Sequence, residues 1–114
     1  MKSLFLTAIL FIVTSAHADP DYVSMKQDFM KVVSELISVD TTNPPGNESR
    51  AVTVIADKLK SEGIAFEIQD FAPGRQNIVA RLKGSGPDKA LILLAHLDVV
   101  GTDKQNWTVP QHRL

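Results

Sequence analysis

Apolar residues recur at helical intervals behind Pro20. Met25, Phe29, Val32, Val33, Leu36 and Ile37 alternate with Lys26, Asp28, Lys31 and Glu35. Side chains three and four apart share one helix face, so the spacing predicts an amphipathic helix from about Met25 to Ser38. Ser24 and Gln27 stand at capping-box spacing before it, and Asp19 to Val23 reads as a short leader. The run VDTTNPPG at 39–46 forbids a helix and demands a turn. Asn47 then reads as an N-cap, and Glu48 suits the positive end of the following helix dipole. Ala51, Val52, Ile55, Ala56 and Leu59 mark the apolar face of that second helix, and Gly63 stops it.

The period then changes from 3.6 to 2. Ile64, Phe66 and Ile68 alternate with Ala65, Glu67 and Gln69, which predicts a half-exposed strand. Ala72-Pro73-Gly74 turns the chain, and Asn77 to Lys83 alternates again. After Gly84-Ser85-Gly86-Pro87, the segment Ala90 to Ala95 (ALILLA) is apolar at every position. A strand covered on both faces has this pattern, as at the centre of an α/β sheet. The expected fold class is therefore α/β: two helices, then a mixed sheet with a buried central strand.

Composition narrows the chemistry. With no cysteine among 114 residues, disulfide scaffolds, thiol nucleophiles and Cys-based metal sites are excluded. Twelve basic against 13 acidic residues leave a net charge of -1, with no electrostatic footprint for nucleic acid. At the N-terminus, Lys2, the apolar run Leu4 to Val13 and Ala16-His17-Ala18 form a secretory signal pattern, cut before Asp19. Its apolar run is too short to span a bilayer. Residues 1–18 are thus read as a signal peptide and 19–114 as the exported chain, secreted or periplasmic, with no membrane attachment after cleavage.

The ALILLA segment runs into His96-Leu97-Asp98-Val99-Val100. Open α/β sheets hold their ligands at the carboxyl ends of buried strands. In extended chain His96 and Asp98 share one face. A neutral imidazole binds zinc through one nitrogen and needs an acceptor on the other; a nearby carboxylate serves as that acceptor or joins the metal shell. The spacing suits both roles and does not choose between them. Alone, His-x-Asp is a common pattern and reads equally well as a solvated strand end.

Three stretches together carry a resemblance: VDTTNPPGNE at 39–48, NIVARLKGSG at 77–86, and LLAHLDVV at 93–100 with Trp107 downstream. They resemble, over about residues 24 to 109, the dizinc metallopeptidase family that includes glutamate carboxypeptidase, acetylornithine deacetylase, succinyl-diaminopimelate desuccinylase and aminoacylase. The resemblance implies the N-terminal part of a zinc-peptidase-like catalytic domain. It implies His96 as the first metal ligand and Asp98 as the catalytic-site aspartate that supports the site and orients that ligand. It also implies two zinc ions with a bridging water, and hydrolysis of a peptide or N-acyl amino acid substrate, with a glutamate as general base.

The same resemblance leaves roles unfilled. The bridging aspartate, the paired glutamates, the next carboxylate ligand and the late histidine have no counterpart before Leu114. Gly101 stands where the family commonly has proline, and Gln111-His112-Arg113-Leu114 fits no family pattern. The expectation is a truncated chain with at most a partial zinc site, inactive by itself and marginal in folding. His112 is set aside as a ligand, Asp103 is read as a loop charge, and Trp107 is read as a packing anchor. The competing reading is a non-enzymatic exported α/β module that binds a partner through its sheet edge.

Overall fold

The computed structural model describes residues 19–102, 106–110 and 112, and the leader expected at 1–18 lies outside them. Four elements follow one another: α1 (Tyr22–Ser38), α2 (Glu48–Ser61), β1 (Phe66–Ala72) and β2 (Arg75–Ala80).

Helix α1 starts three residues before the place the capping-box spacing suggested. Its cap is Asp21, whose Oδ1 accepts from the amides of Val23 (3.1 Å) and Ser24 (3.2 Å). A carboxylate at the N-cap satisfies two otherwise orphaned donors, so Ser24 is drawn inside the helix. The helix ends at Ser38, where Val39 is already extended. Its apolar stripe is only partly covered. Val32, Val33 and Leu36 are half-buried, whereas Met25 and Phe29 remain exposed.

Helix α2 is the centre of the packing. Ala51 and Val52 are buried, and Ile55, Ala56 and Leu59 are half-buried on the face that the periodicity marked. That face lies against the hairpin of β1 and β2 and against α1. Asn47 is the N-cap, but its side chain makes no capping bond. The hairpin turn substitutes for it: the carbonyl of Gly74 accepts from the Ser49 amide at 3.0 Å. At the other end Gly63 takes a φ of +67°, and Ile64 N–H reaches back to Leu59 O at 2.9 Å. Glycine enters this left-handed region without a Cβ clash, which is why the helix stops there.

β1 and β2 pair antiparallel, with Phe66 opposite Ala80 and Ile68 opposite Ile78. The register breaks between Asp70 and Ala72, next to the tight turn at Pro73-Gly74. Among the described residues this two-stranded ribbon is the whole sheet. The mixed sheet is therefore corrected to a purely antiparallel one.

The buried central strand is corrected as well. Ala90 to Ala95 joins no strand, and Leu91, Ile92, Leu93 and Leu94 are 81–94% exposed. An all-apolar run becomes a central strand only where backbone partners flank it and layers cover both faces. Neither is supplied here. Past that segment the chain is caught again: Thr42 and Val99 face each other as a parallel pair.

Candidate functional site

The site is built where the Pro-Pro loop meets the segment after ALILLA. Two backbone bonds hold them together: Asn43 N–H to Val99 O at 2.9 Å, and Val99 N–H to Thr41 O at 3.2 Å. Inside the loop, Thr42 N–H donates to Asp40 Oδ1 (2.9 Å) and Gly46 N–H to Thr42 O (2.9 Å). Thr41 is 2% exposed, so the base of the loop is a fixed point. The peptide bonds Asn43-Pro44 and Pro44-Pro45 are cis.

His96 and Asp98 come together as their spacing suggested. His96 Nδ1 lies 2.9 Å from the carbonyl oxygen of Asp98 and 3.1 Å from its Oδ1. Both partners are acceptors, so Nδ1 carries the proton and donates. In the neutral ring Nε2 is then the free acceptor. The imidazole is 86% exposed and the Asp98 carboxylate 35%.

Asp98 is held from the other side by a residue that the sequence did not single out. Asn43 Nδ2 donates to Asp98 Oδ2 at 2.9 Å across 55 positions of chain. That bond holds the Asp98 carboxyl below the usual aspartate range, with the His96 imidazole adding to the effect against a smaller cost of burial. Each carboxylate oxygen thus has a donor.

A second pair closes the wall beside it. Arg75 forks onto Glu48: Nη2 to Oε1 at 2.6 Å, Nε to Oε2 at 3.1 Å and Nε to Oε1 at 3.2 Å. The Glu48 side chain is only 7% exposed. The guanidinium holds its carboxyl well below the usual range, and burial opposes this less strongly. Arg75 also lies over the Phe71 ring, 5.4 Å from its centroid. Gly46 makes room for the pair. Its φ is +82°, and a Cβ there would fall 2.9 Å from Arg75 Nε. An open cleft of about 570 Å³ runs between the hairpin and residues 94–98, with Glu48, Arg75, His96 and Asp98 on its walls.

His96 meets the requirements of one zinc ligand. Metal-bound histidines donate their second N–H to a carboxylate or a carbonyl, and His96 has both in Asp98. Among the described residues no group of three His, Cys, Asp or Glu side chains converges on one point. Zinc takes three or four protein ligands, so these residues fit a partial donor set: one imidazole and its supporting carboxylate.

Other expectations are placed elsewhere. His112 does not line the cleft; its Nδ1 is 3.3 Å from Ile37 O and its Nε2 3.5 Å from Asp40 Oδ1, at the end of α1. Trp107, read as a packing anchor, is 63% exposed. Asp103 lies outside the described residues. Asn43 and the Glu48–Arg75 pair were missed because their partners are 55 and 27 positions away. The only local hint was the polar residue just before Pro-Pro, which a turn also explains.

The comparisons with known proteins point to hydrolases that remove an acyl group. The chain is similar to the acetylornithine deacetylase of Vibrio cholerae, with 36% identity over 81 residues, covering 71% of this chain and 21% of that enzyme. It is also 35% identical over 92 residues to the acetylornithine deacetylase of Vibrio atlanticus (75% and 24%). A third relative is the N-formyl-4-amino-5-aminomethyl-2-methylpyrimidine deformylase of Bacillus subtilis, at 32% over 86 residues (72% and 20%). The chain therefore spans about a fifth of the length of the curated relatives it matches. No family model matches it, and no solved structure matches it.

Proposed function

We propose that this chain supplies one histidine ligand and its supporting carboxylate to a zinc-dependent hydrolytic site, in an exported hydrolase fragment of the deacylase or carboxypeptidase type. The reading rests on one observation: His96 Nδ1 is held by Asp98, which leaves Nε2 as the free nitrogen of the ring. The relatives support the substrate class, since a deacetylase and a deformylase both cleave an acyl group. When bound, zinc lowers the pKa of a coordinated water and polarises a substrate carbonyl. The chain's own residues do the preparation. Asp98 fixes the tautomer and the direction of the His96 ring, and Asn43 fixes Asp98. Arg75, neutralised by Glu48, serves as wall rather than as a free anion receptor. Asp98 is thus the supporting carboxylate of the site, with His96 as the ligand. The remaining ligands and the general base have no counterpart among the described residues, so hydrolysis by this polypeptide alone is not expected.

Zinc titrated into the ¹⁵N-labelled full chain tests the site directly. The expected result is saturable movement of the His96 Nε2 resonance, and loss of the accompanying shifts at Asn43 and Asp98 in His96→Ala. Zinc that leaves His96 Nε2 unmoved would overturn the assignment. Export belongs to the same proposal and has its own readout. N-terminal sequencing of secreted or periplasmic product should begin at Asp19; product retained with Met1 intact would remove export from the reading.

A further inference from the structure

Asn43 stands in a segment whose backbone is already committed. Its own N–H donates to Val99 O, and the carbonyl of Thr41, two residues earlier, receives Val99 N–H. These bonds bring the loop to the residue beside Asp98. Its side chain then reaches Asp98 Oδ2 at 2.9 Å. The facing group is a carboxylate oxygen, so the amide presents Nδ2–H, a donor. The carboxylate is left with Oδ1 for the imidazole, 3.1 Å from Nδ1. Without Asn43 the carboxylate is free to rotate about its terminal torsion, which is a broad well. Nδ1–H would then keep only the Asp98 backbone carbonyl, at 2.9 Å, as a fixed acceptor.

We propose that Asn43 is a positioning residue for His96: by donating to Asp98 Oδ2 it locks the carboxylate, and through it the Nδ1–H tautomer that leaves Nε2 free. The functional meaning of this chain of contacts rests on the hydrolase reading above; the contacts themselves do not. Asn43 acts through Asp98, as outer partners of a ligating histidine do. The Pro-Pro loop is thereby more than a turn. It brings an amide donor to the supporting carboxylate from 55 positions earlier in the chain.

The test reads the tautomer in the metal-free full chain. Imidazole ¹⁵N shifts of His96, measured where the ring is neutral, should report mainly Nδ1–H in the wild type. Asn43→Ala should weaken the Nδ1–H preference and raise the Nε2–H fraction, since the Asp98 carbonyl then supports Nδ1–H alone. Asn43→Asp keeps the shape, replaces the donor by an acceptor and should shift it at least as far. Where Asn43→Ala fails to fold, the isosteric Asn43→Asp carries the test. Val52→Ala, which weakens the packing without touching the site, should leave the tautomer unchanged. Zinc affinity should fall about tenfold in Asn43→Ala. The proposal is overturned if both Asn43 variants keep the wild-type tautomer, or if Val52→Ala moves it as far as they do. If wild-type His96 ignores zinc yet the tautomer follows Asn43, the hydrolase reading fails and the positioning role stands.

Discussion

Glu48 and Arg75 form the most enclosed ion pair among the described residues, and its pH behaviour follows from geometry. The guanidinium depresses the Glu48 carboxyl in the folded chain. A depressed acid stabilises the fold in full above its unfolded pKa, and that contribution is lost as pH falls through the folded value. Glu48→Gln removes the charge while keeping the shape. Urea midpoints for wild type and Glu48→Gln should therefore differ by a constant amount at neutral pH. The gap should close below the usual carboxylate range. A gap that widens in acid would contradict the ion pair. Gly46 answers to the same pair. Gly63→Ala meets nothing within 4 Å and bears only the backbone cost of a positive φ, about 1 kcal/mol. Gly46→Ala adds a displaced Arg75 to that cost and should reach about 3 kcal/mol in denaturant melts.

Among the elements, α2 packs against the hairpin, and the ALILLA segment joins no helix or strand. Hydrogen exchange separates them. Amides of β1 and β2 that pair across the ribbon, such as those near Ile68 and Ile78, should be protected. Amides from Leu91 to Leu94 have no ladder and should exchange at close to open-chain rates. Protection at Leu91 to Leu94 equal to that of the hairpin would show that a strand forms there after all. Within α2, Val52 is 1% exposed, and Val52→Ala should cost about 2 kcal/mol from lost transfer energy and the cavity left behind.

For the whole molecule, the fully buried apolar side chains among the described residues are few, Ala51 and Val52. Against them stand Leu82, Leu91, Ile92, Leu93, Leu94 and Val100, all about four-fifths exposed or more. Leu91 to Leu94 are consecutive and exposed, and exposed apolar runs of this kind drive association. Leu93→Glu should lower light scattering at a given concentration with the melting temperature unchanged, because Leu93 is 88% exposed and contributes little packing. A lowered melting temperature would mean that the segment is packed in solution.

Local pattern and local chemistry were legible in the sequence. The apolar stripe of α2, the stop at Gly63, the turn at Pro73-Gly74 and the shared face of His96 and Asp98 all follow from periods of 3.6 and 2 and from glycine and proline geometry. The start of α1 was misread because Asp21 and Ser24 are both capable caps, and only the backbone shows which one meets free amides. What surrounds ALILLA was illegible for a different reason. An apolar run states a demand for cover, and whether neighbours meet that demand depends on residues far away in the chain. Asn43 against Asp98, Glu48 against Arg75 and the Gly74 carbonyl on α2 are likewise contacts between distant positions. The sequence alone placed His96 and Asp98 within reach of each other; the tertiary structure decided what holds them, since those bonds exist only once the loop, the helix and the hairpin have met.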